Sequence, residues 1–476
     1  MSIRQMGAYK GGSNMIEELD VRSEKARLFQ KDFPPEEFKE RRRKIFNAIG
    51  PEACALLQGK PQVRGFYPFR QSNDFYYCCG VEIPHSYLLM DGRDQSIRLF
   101  IPRFISNRGG RDALTFEDAD LIREFTGIDD VLPLESLTEY LKGIRVLYVP
   151  HGPAEDKAES RYTILHSNRL IAIDPWDGSL PREQHFISLL HVRFPHITIR
   201  DLSPILDSLR LVKSKREIDL LRKAGNLAAL AVTEAMRVTR PGMMEHYLRA
   251  VASYIFIAHG ASGEGYHSIV ASGRNIWDPH YYREDCIMRD GDLVLMDAAP
   301  DYHYYTSDIG RMWPVNGRYS PWQRELYGFI VEYHKTLLSN IHPGLTADQI
   351  LNTASEIMAN FIKEYKFSKE IYRRSAERTL EFRGHLSHTV GMSVHDVGDY
   401  RSMPLKPGIV FSVDPQMWVP EERLYIRVED TIAVTENGIE VLTGSAPLEL
   451  DDVELTIREK SVFFSNLDRI LKIFGE

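Results

Sequence analysis

The stretch Leu293–Arg311, LVLMDAAPDYHYYTSDIGR, decides how the chain is read. Its apolar opening, Leu293 to Met296, predicts a buried strand that delivers Asp297 at its end. A second run of aromatic and β-branched residues, Tyr302 to Thr306, predicts an adjacent strand that delivers Asp308. Carboxylates at the ends of buried strands are costly unless a cation lies between them, so a metal ion or a basic partner is implied. Taken alone, the stretch reads equally well as two solvated turn aspartates.

Outward from it, the chain has the size and chemistry of an ordinary globular protein. Its 476 residues suit two domains, and 43% hydrophobic with 26% charged residues is typical of that class. A net charge of -8 supplies no basic field for a nucleic-acid backbone, which excludes that class of partner. Arg41-Arg42-Arg43 then reads as a solvated helix face. Cys54, Cys78, Cys79 and Cys286 lack the paired spacing of a zinc site or a disulfide framework and suit a reducing compartment. With no apolar leader and no run long enough to span a bilayer, a cytoplasmic protein without a membrane partner is expected.

Residues 1–34 are polar, carry Gly11-Gly12 and end at Pro34-Pro35, and are expected to form an arm. Residues 35–205 read as an α/β domain, with a charged helix from Pro35 to Ile49 and strands at Ala53–Leu57, Tyr87–Met90 and Ile97–Pro102. Within it, the aromatic segment Tyr67–Tyr77 predicts a core strand with an Arg70–Asp74 ion pair, or else an edge lent to a neighbouring active site. Residues 206–450 form the second expected domain. It opens on a helix carrying Ile218, Leu221, Gly225, Ala228, Val232 and Ala235 at steps of three and four. A second helix follows from Glu245 to Ile257, then a glycine-rich loop and a strand from Ser268 to Ala271. Residues 451–476 predict one amphipathic helix through Val462, Phe463, Leu467, Ile470, Leu471 and Phe474, docked on the parent domain or a partner subunit. No tandem repeat points to a solenoid.

Further on, LSHTVGMSVHD places His388 and His395 seven residues apart, and Val410–Pro415 brings Asp414 out at the end of an apolar strand. In Leu424–Asp430, alternation puts Ile426 and Val428 on one face and Arg427 and Glu429 on the other. Asp297, Asp308, His388, Asp414 and Glu429 make four carboxylates and one imidazole. That oxygen-rich set suits a pair of manganese, iron, cobalt or zinc ions and is wrong for a structural zinc, which favours thiolates. Two adjacent divalent ions meet the chemical requirement for hydrolysing an unactivated amide.

Through the motifs MDAAPDYHYYTSDIGR, LSHTVGMSVHD, PGIVFSVDP and IRVED, the region from about residue 212 to 444 resembles the pita-bread metallopeptidases, within them aminopeptidase P and prolidase. YPFRQSNDFYY resembles a signature of the aminopeptidase P N-terminal domain, so the likeness covers nearly the whole chain. The resemblance implies a dinuclear site with manganese first among the metals. Asp297 would chelate one ion, Asp308 and Glu429 would bridge, and His388 with Asp414 would complete the other. It implies that His280 and His395 hydrogen-bond the substrate carbonyl and its tetrahedral intermediate, that Asp414 shuttles a proton, and that Arg427 steadies a bridging carboxylate. The implied reaction removes an N-terminal residue from a short peptide with proline in second place. A homo-oligomer, dimer or tetramer, is expected with it. Two departures stand out. Asp414 occupies a glutamate position, and Gly384, four residues before His388, occupies a histidine position. The adjacent His385 should point to the opposite face. The departures leave room for a metallohydrolase of the same fold acting on a non-prolyl amide or phosphoester, or for a catalytically weakened peptide-binding protein.

Overall fold

The computed structural model describes residues 24–62, 68–103 and 113–463. The chain divides into two compact units, one of residues 1–154 with 165–206, the other of residues 155–164 with 207–476.

The first unit is built on a six-stranded mixed sheet. Its strands are β1 Ala53–Gln58, β2 Tyr87–Asp91, β3 Ser96–Ile101, β4 Asp130–Pro133, β5 Val146–Val149 and β6 Thr198–Asp201, in the order β4-β3-β2-β1-β5-β6. β1, β2 and β3 pair antiparallel, while β4, β5 and β6 join in parallel through helical crossovers. Cys54, Leu56, Leu89, Phe100 and Leu147 form part of the core on one face.

Two expectations change in this unit. Tyr67 lies outside the described residues, and the rest of its aromatic segment contains no strand. Asn73–Cys79 is a helix, closed by Gly80 in the left-handed region at φ 66°, and Arg70 donates to Asn73 Oδ1 at 2.8 Å. Arg41 and Arg42 are buried rather than solvated. Arg42 donates to the carbonyls of Cys78, Thr126 and Gly127, and Arg41 to that of Tyr77, so both guanidiniums satisfy carbonyls at helix ends, where the backbone dipole favours a cation. Arg43 alone of the three is exposed, paired with Glu40. The arm up to residue 23 lies outside the described residues.

The second unit contains β7 Ile269–Ser272, β8 Leu293–Asp297, β9 Ile309–Pro314, β10 Leu386–Thr389, β11 Val410–Val413, β14 Glu429–Val434 and β15 Ile439–Val441. They form one sheet in the order β10-β11-β14-β9-β8-β7, with β15 on β14. The short strands β12 Gln416–Val419 and β13 Leu424–Arg427 make a separate two-stranded ribbon. Helix Lys215–Val238 starts in a reciprocal capping box between Ser214 and Glu217 and buries the face carrying Leu221, Ala228, Val232 and Ala235. It approaches the chain after β15 so closely that a Cβ at Gly225 would lie 2.5 Å from the Leu442 carbonyl oxygen. Helices His246–Ala258, Pro321–Asn340 and Ala347–Glu364 add buried residues to the same core.

The predicted second strand of the opening stretch is absent. Tyr302 and Tyr305 exchange backbone hydrogen bonds across a two-residue turn in which His303 and Tyr304 both have positive φ, 51° and 74°. The strand begins at Ile309, after Asp308. The C-terminal helix also differs, ending at Arg458 within Leu450–Arg458. Val462 and Phe463 are not helical, and Leu467, Ile470, Leu471 and Phe474 lie outside the described residues.

Candidate active site

The sheet of the second unit carries the charged residues singled out in the sequence to one place. Asp297 closes β8 and Asp308 immediately precedes β9, and the two strands pair so that Asp297 is opposite Gly310. The Tyr266 hydroxyl donates to Asp308 Oδ1 at 2.7 Å and also contacts Asp297 Oδ1, bridging the two carboxylates. Glu429 opens β14, opposite Gly310 of β9. One donor atom each from Asp308, His388 and Glu429 lies within 4.8 Å of the others, with His388 Nε2 at 3.2 Å from Asp308 Oδ2.

Arg427 ties in the remaining carboxylates. Its Nη1 lies 3.0 Å from Asp297 Oδ2, its Nε lies 2.8 Å from Asp414 Oδ1, and its Nη2 contacts Glu429 Oε2. Arg427 and Glu429 therefore share a face as the alternation requires, although the backbone changes partners between them. Arg427 pairs with Gln416 in the ribbon, whereas Glu429 belongs to the main sheet. Four buried carboxylates lie around one guanidinium, and the crowding shows in the protonation of three of them. Burial raises Glu429 to about 8 against the pull of Arg427. Burial also raises Asp308, helped by Glu429 and Asp297, and raises Asp414 despite Arg427. Burial, then the neighbouring His395, holds His388 well below its ordinary pKa, in the neutral form a metal requires. Hard oxygen donors in excess of positive charge, with one neutral imidazole among them, fit divalent cations.

The two other histidines lie towards solvent. The rings of His388 and His395 are 4.0 Å apart between centroids. His395 is exposed, and the protein around it, then His280, lowers its pKa. His280 is exposed and stacks on Tyr282 at 6.2 Å.

Both departures have a structural account. Asp414 accepts from Gln416 Nε2 at 3.1 Å through Oδ2 while Oδ1 receives Arg427, so both oxygens of the shorter side chain are held. His385 points away into the core, fully buried, with Nε2 bonded to the Thr379 carbonyl at 2.7 Å and its ring against Tyr333 and Phe382. Burial lowers its pKa to about 4. Beside Gly384, the space a side chain would enter holds the Phe382 ring, 2.3 Å from an ideal Cβ.

Four contributors went unread in the sequence. Ser412 contacts Glu429 Oε1, and its place two residues before Asp414 on β11 could have found it. Thr431, two after Glu429, accepts from the Asp308 amide at 2.8 Å and donates to its carbonyl at 2.9 Å. Tyr266 and Gln416 sit in a loop and at the foot of the ribbon, where no periodicity marks them.

A buried, metal-suited carboxylate cluster on the sheet of a second domain, with a separate α/β domain preceding it in the chain, defines the class as a metallopeptidase of the aminopeptidase P architecture, with an N-terminal domain and a C-terminal pita-bread domain. Residues 219–436 match the model of metallopeptidase family M24, and residues 38–149 match the aminopeptidase P N-terminal domain. The chain is 33% identical over 456 residues to an Xaa-Pro aminopeptidase of Escherichia coli K12, covering 88% of this chain and 97% of that one. It is 30% identical to Xaa-Pro aminopeptidase 3 of Rattus norvegicus, over 82% of this chain and 76% of that one. The structure of Escherichia coli aminopeptidase P with the inhibitor Pro-Leu superposes with a TM-score of 0.71 at 31% identity, covering 90% of this chain and 99% of that one. The chain belongs to metallopeptidase family M24, whose members use divalent metal ions to cleave peptides. No described helix is long and apolar enough to cross a membrane.

Proposed function

We propose that this protein is a metal-dependent Xaa-Pro aminopeptidase that releases the N-terminal residue from short peptides with proline in second place. The observation that carries the proposal is the convergence of Asp308, His388 and Glu429 with Asp297 and Asp414 around Arg427, in a chain whose relatives bear that name. Asp297 would hold one divalent ion, Asp308 and Glu429 would bridge, and His388 with Asp414 would hold the second, with manganese first and zinc, cobalt or iron as alternatives. Bound there, the ions would supply Lewis-acid polarisation of the scissile carbonyl and lower the pKa of the attacking water.

The protein's own groups do the rest. His280 and His395, both exposed, would donate to the carbonyl oxygen as it gains charge. Asp414 would take the proton of the attacking water and pass it to the proline nitrogen as the amide breaks. Arg427 fixes Asp414 and Glu429 in orientation and balances their charge. The protein is expected to work in the cytoplasm as a homo-oligomer.

A second reading keeps the metals and changes the substrate to a non-prolyl amide, favoured by Phe382 standing beside Gly384 where the family has a histidine. Metal analysis on protein purified without chelator, followed by rates on Xaa-Pro and matched Xaa-Ala peptides, separates the two. Two ions per chain with turnover confined to the prolyl series is the expected result. Turnover confined to the alanyl series would sink the prolyl assignment, and protein that binds no metal would sink both readings.

A further inference from the structure

We infer that the projection formed by the end of helix Arg161–Ile173 and the turn running on to Leu180 is a docking surface for a second copy of this chain. The inference rests on the homo-oligomeric reading and gives it a location. Helix Arg161–Ile173 has 13 residues and buries none of them. A helix on a globular protein normally hides an apolar stripe, and among the described residues this one leaves Leu170 and Ile173, one turn apart on one face, exposed. From Arg169 to Leu180 every residue is exposed. Leu170 is 53% exposed, Ile173 75%, Trp176 96% and Leu180 55%.

This segment is built rather than loose. The Asp174 and Gly178 amides both donate to the Ile171 carbonyl, at 3.1 and 3.2 Å, and fold the turn back on the helix end. The Trp176 amide donates to Asp174 Oδ1 at 2.8 Å, and that of Ser179 to Asp177 Oδ1 at 3.2 Å. A turn held this tightly presents its indole to solvent with little conformational entropy left to lose on binding. Trp is the side chain over-represented at the energetic centres of interfaces.

Area and charge select the occupant. Leu170, Ile173, Trp176 and Leu180 together offer roughly 550 Å2, near the top of what monomers expose. With a polar rim this approaches the ~800 Å2 per partner of a standard interface. The rim carries both signs, Arg169 beside Asp174 and Asp177. A rim of mixed sign around an apolar centre can pair with a second copy of itself across a two-fold axis. An anionic membrane would instead call for a basic excess.

Sedimentation velocity of the full-length protein over a concentration series tests this, for wild type, Ile173→Asp, Trp176→Ser and a control, Val192→Asp, which is 81% exposed outside the turn. Wild type and control should associate alike. Each of the other two variants should weaken association by roughly 30- to 100-fold, with melting temperature unchanged. Assembly indifferent to both variants would overturn this surface and leave the oligomeric reading intact, whereas a wild type that stays monomeric would remove both. A blue shift of tryptophan emission with anionic vesicles, lost in Trp176→Ser, would make a lipid surface the occupant and overturn the proposal.

Discussion

Asp396, next to His395, closes the loop that leads from the strand of His388 to His395, and removing its charge should loosen that loop. Its Oδ1 lies 2.5 Å from Arg210 Nη2 and its Oδ2 3.1 Å from Lys213 Nζ, with all three side chains about 1% exposed. Arg210 also contacts Glu155. The Asp396 backbone locks onto Thr389, whose carbonyl accepts from the Asp396 amide at 3.0 Å and whose hydroxyl donates to the Asp396 carbonyl at 2.7 Å. Burial alone would raise the Asp396 pKa, but Arg210 and Lys213 outweigh it and hold the carboxyl below its ordinary value. Asp396→Asn keeps the volume and leaves two buried cations facing a neutral amide, a change that costs about 3–5 kcal/mol when one partner of a buried pair is lost. At roughly 2–4 °C per kcal/mol for a unit of this size, the melting temperature should fall by about 10 °C at neutral pH. Because the folded-state pKa is depressed, the stabilisation is present above the unfolded value of 3.8 and disappears as pH falls through the folded one. Calorimetry of the two proteins should therefore show curves that converge below about pH 4. A variant that melts within ~2 °C of wild type at pH 7 would refute the reasoning, since the cations would then have found solvent or another partner.

Other substitutions probe different parts of the molecule. Tyr266→Phe removes the hydroxyl that bridges Asp297 and Asp308 and should weaken metal affinity roughly 10-fold in a chelator competition titration. Glu284 is buried, and desolvation raises its carboxyl to about 7 in spite of Arg249, so the favourable contribution of its protonated form is complete below 4.5 and lost as pH rises through 7. Denaturant titrations from pH 5 to 8 should show a decline of roughly 2–3 kcal/mol in wild type that is absent in Glu284→Gln. Gly225→Ala would press a methyl group to 2.5 Å from a backbone oxygen, and chemical unfolding should register a loss of about 2 kcal/mol despite the better helix propensity of alanine.

Patterns of period two and of three to four were legible because burial enforces them. The Leu293–Asp297 strand, helix Lys215–Val238 and the alternation that sets Arg427 beside Glu429 each bury a continuous face, so composition along the chain reports them directly. Arg41 and Arg42 misled because a run of arginines normally faces water. Nothing local announces the helix-end carbonyls, distant in sequence, that receive them. Tyr302–Thr306 misled through side-chain preference, since aromatic and β-branched residues favour strands. The tight turn there has no glycine or asparagine to mark its two left-handed residues. The aromatic segment failed for the same reason, its helix being stabilised by burial of Asn73 to Cys79 on all sides. Within the site, residues at strand ends could be read, whereas Tyr266 and Gln416 arrive from irregular backbone and only three-dimensional structure reveals them.

The ribbon of β12 and β13 peels away from β11 and β14 at the level of Asp414 and Arg427, where the Val428 amide meets the Pro415 carbonyl at 3.3 Å. Trp418 lies on it four residues beyond Asp414, with the Trp277 ring 4.9 Å away. The ribbon is therefore a short lever whose fulcrum is the charged cluster. A twist imposed at the tryptophans would travel down two paired strands and reach Arg427, whereas Glu429 belongs to the main sheet.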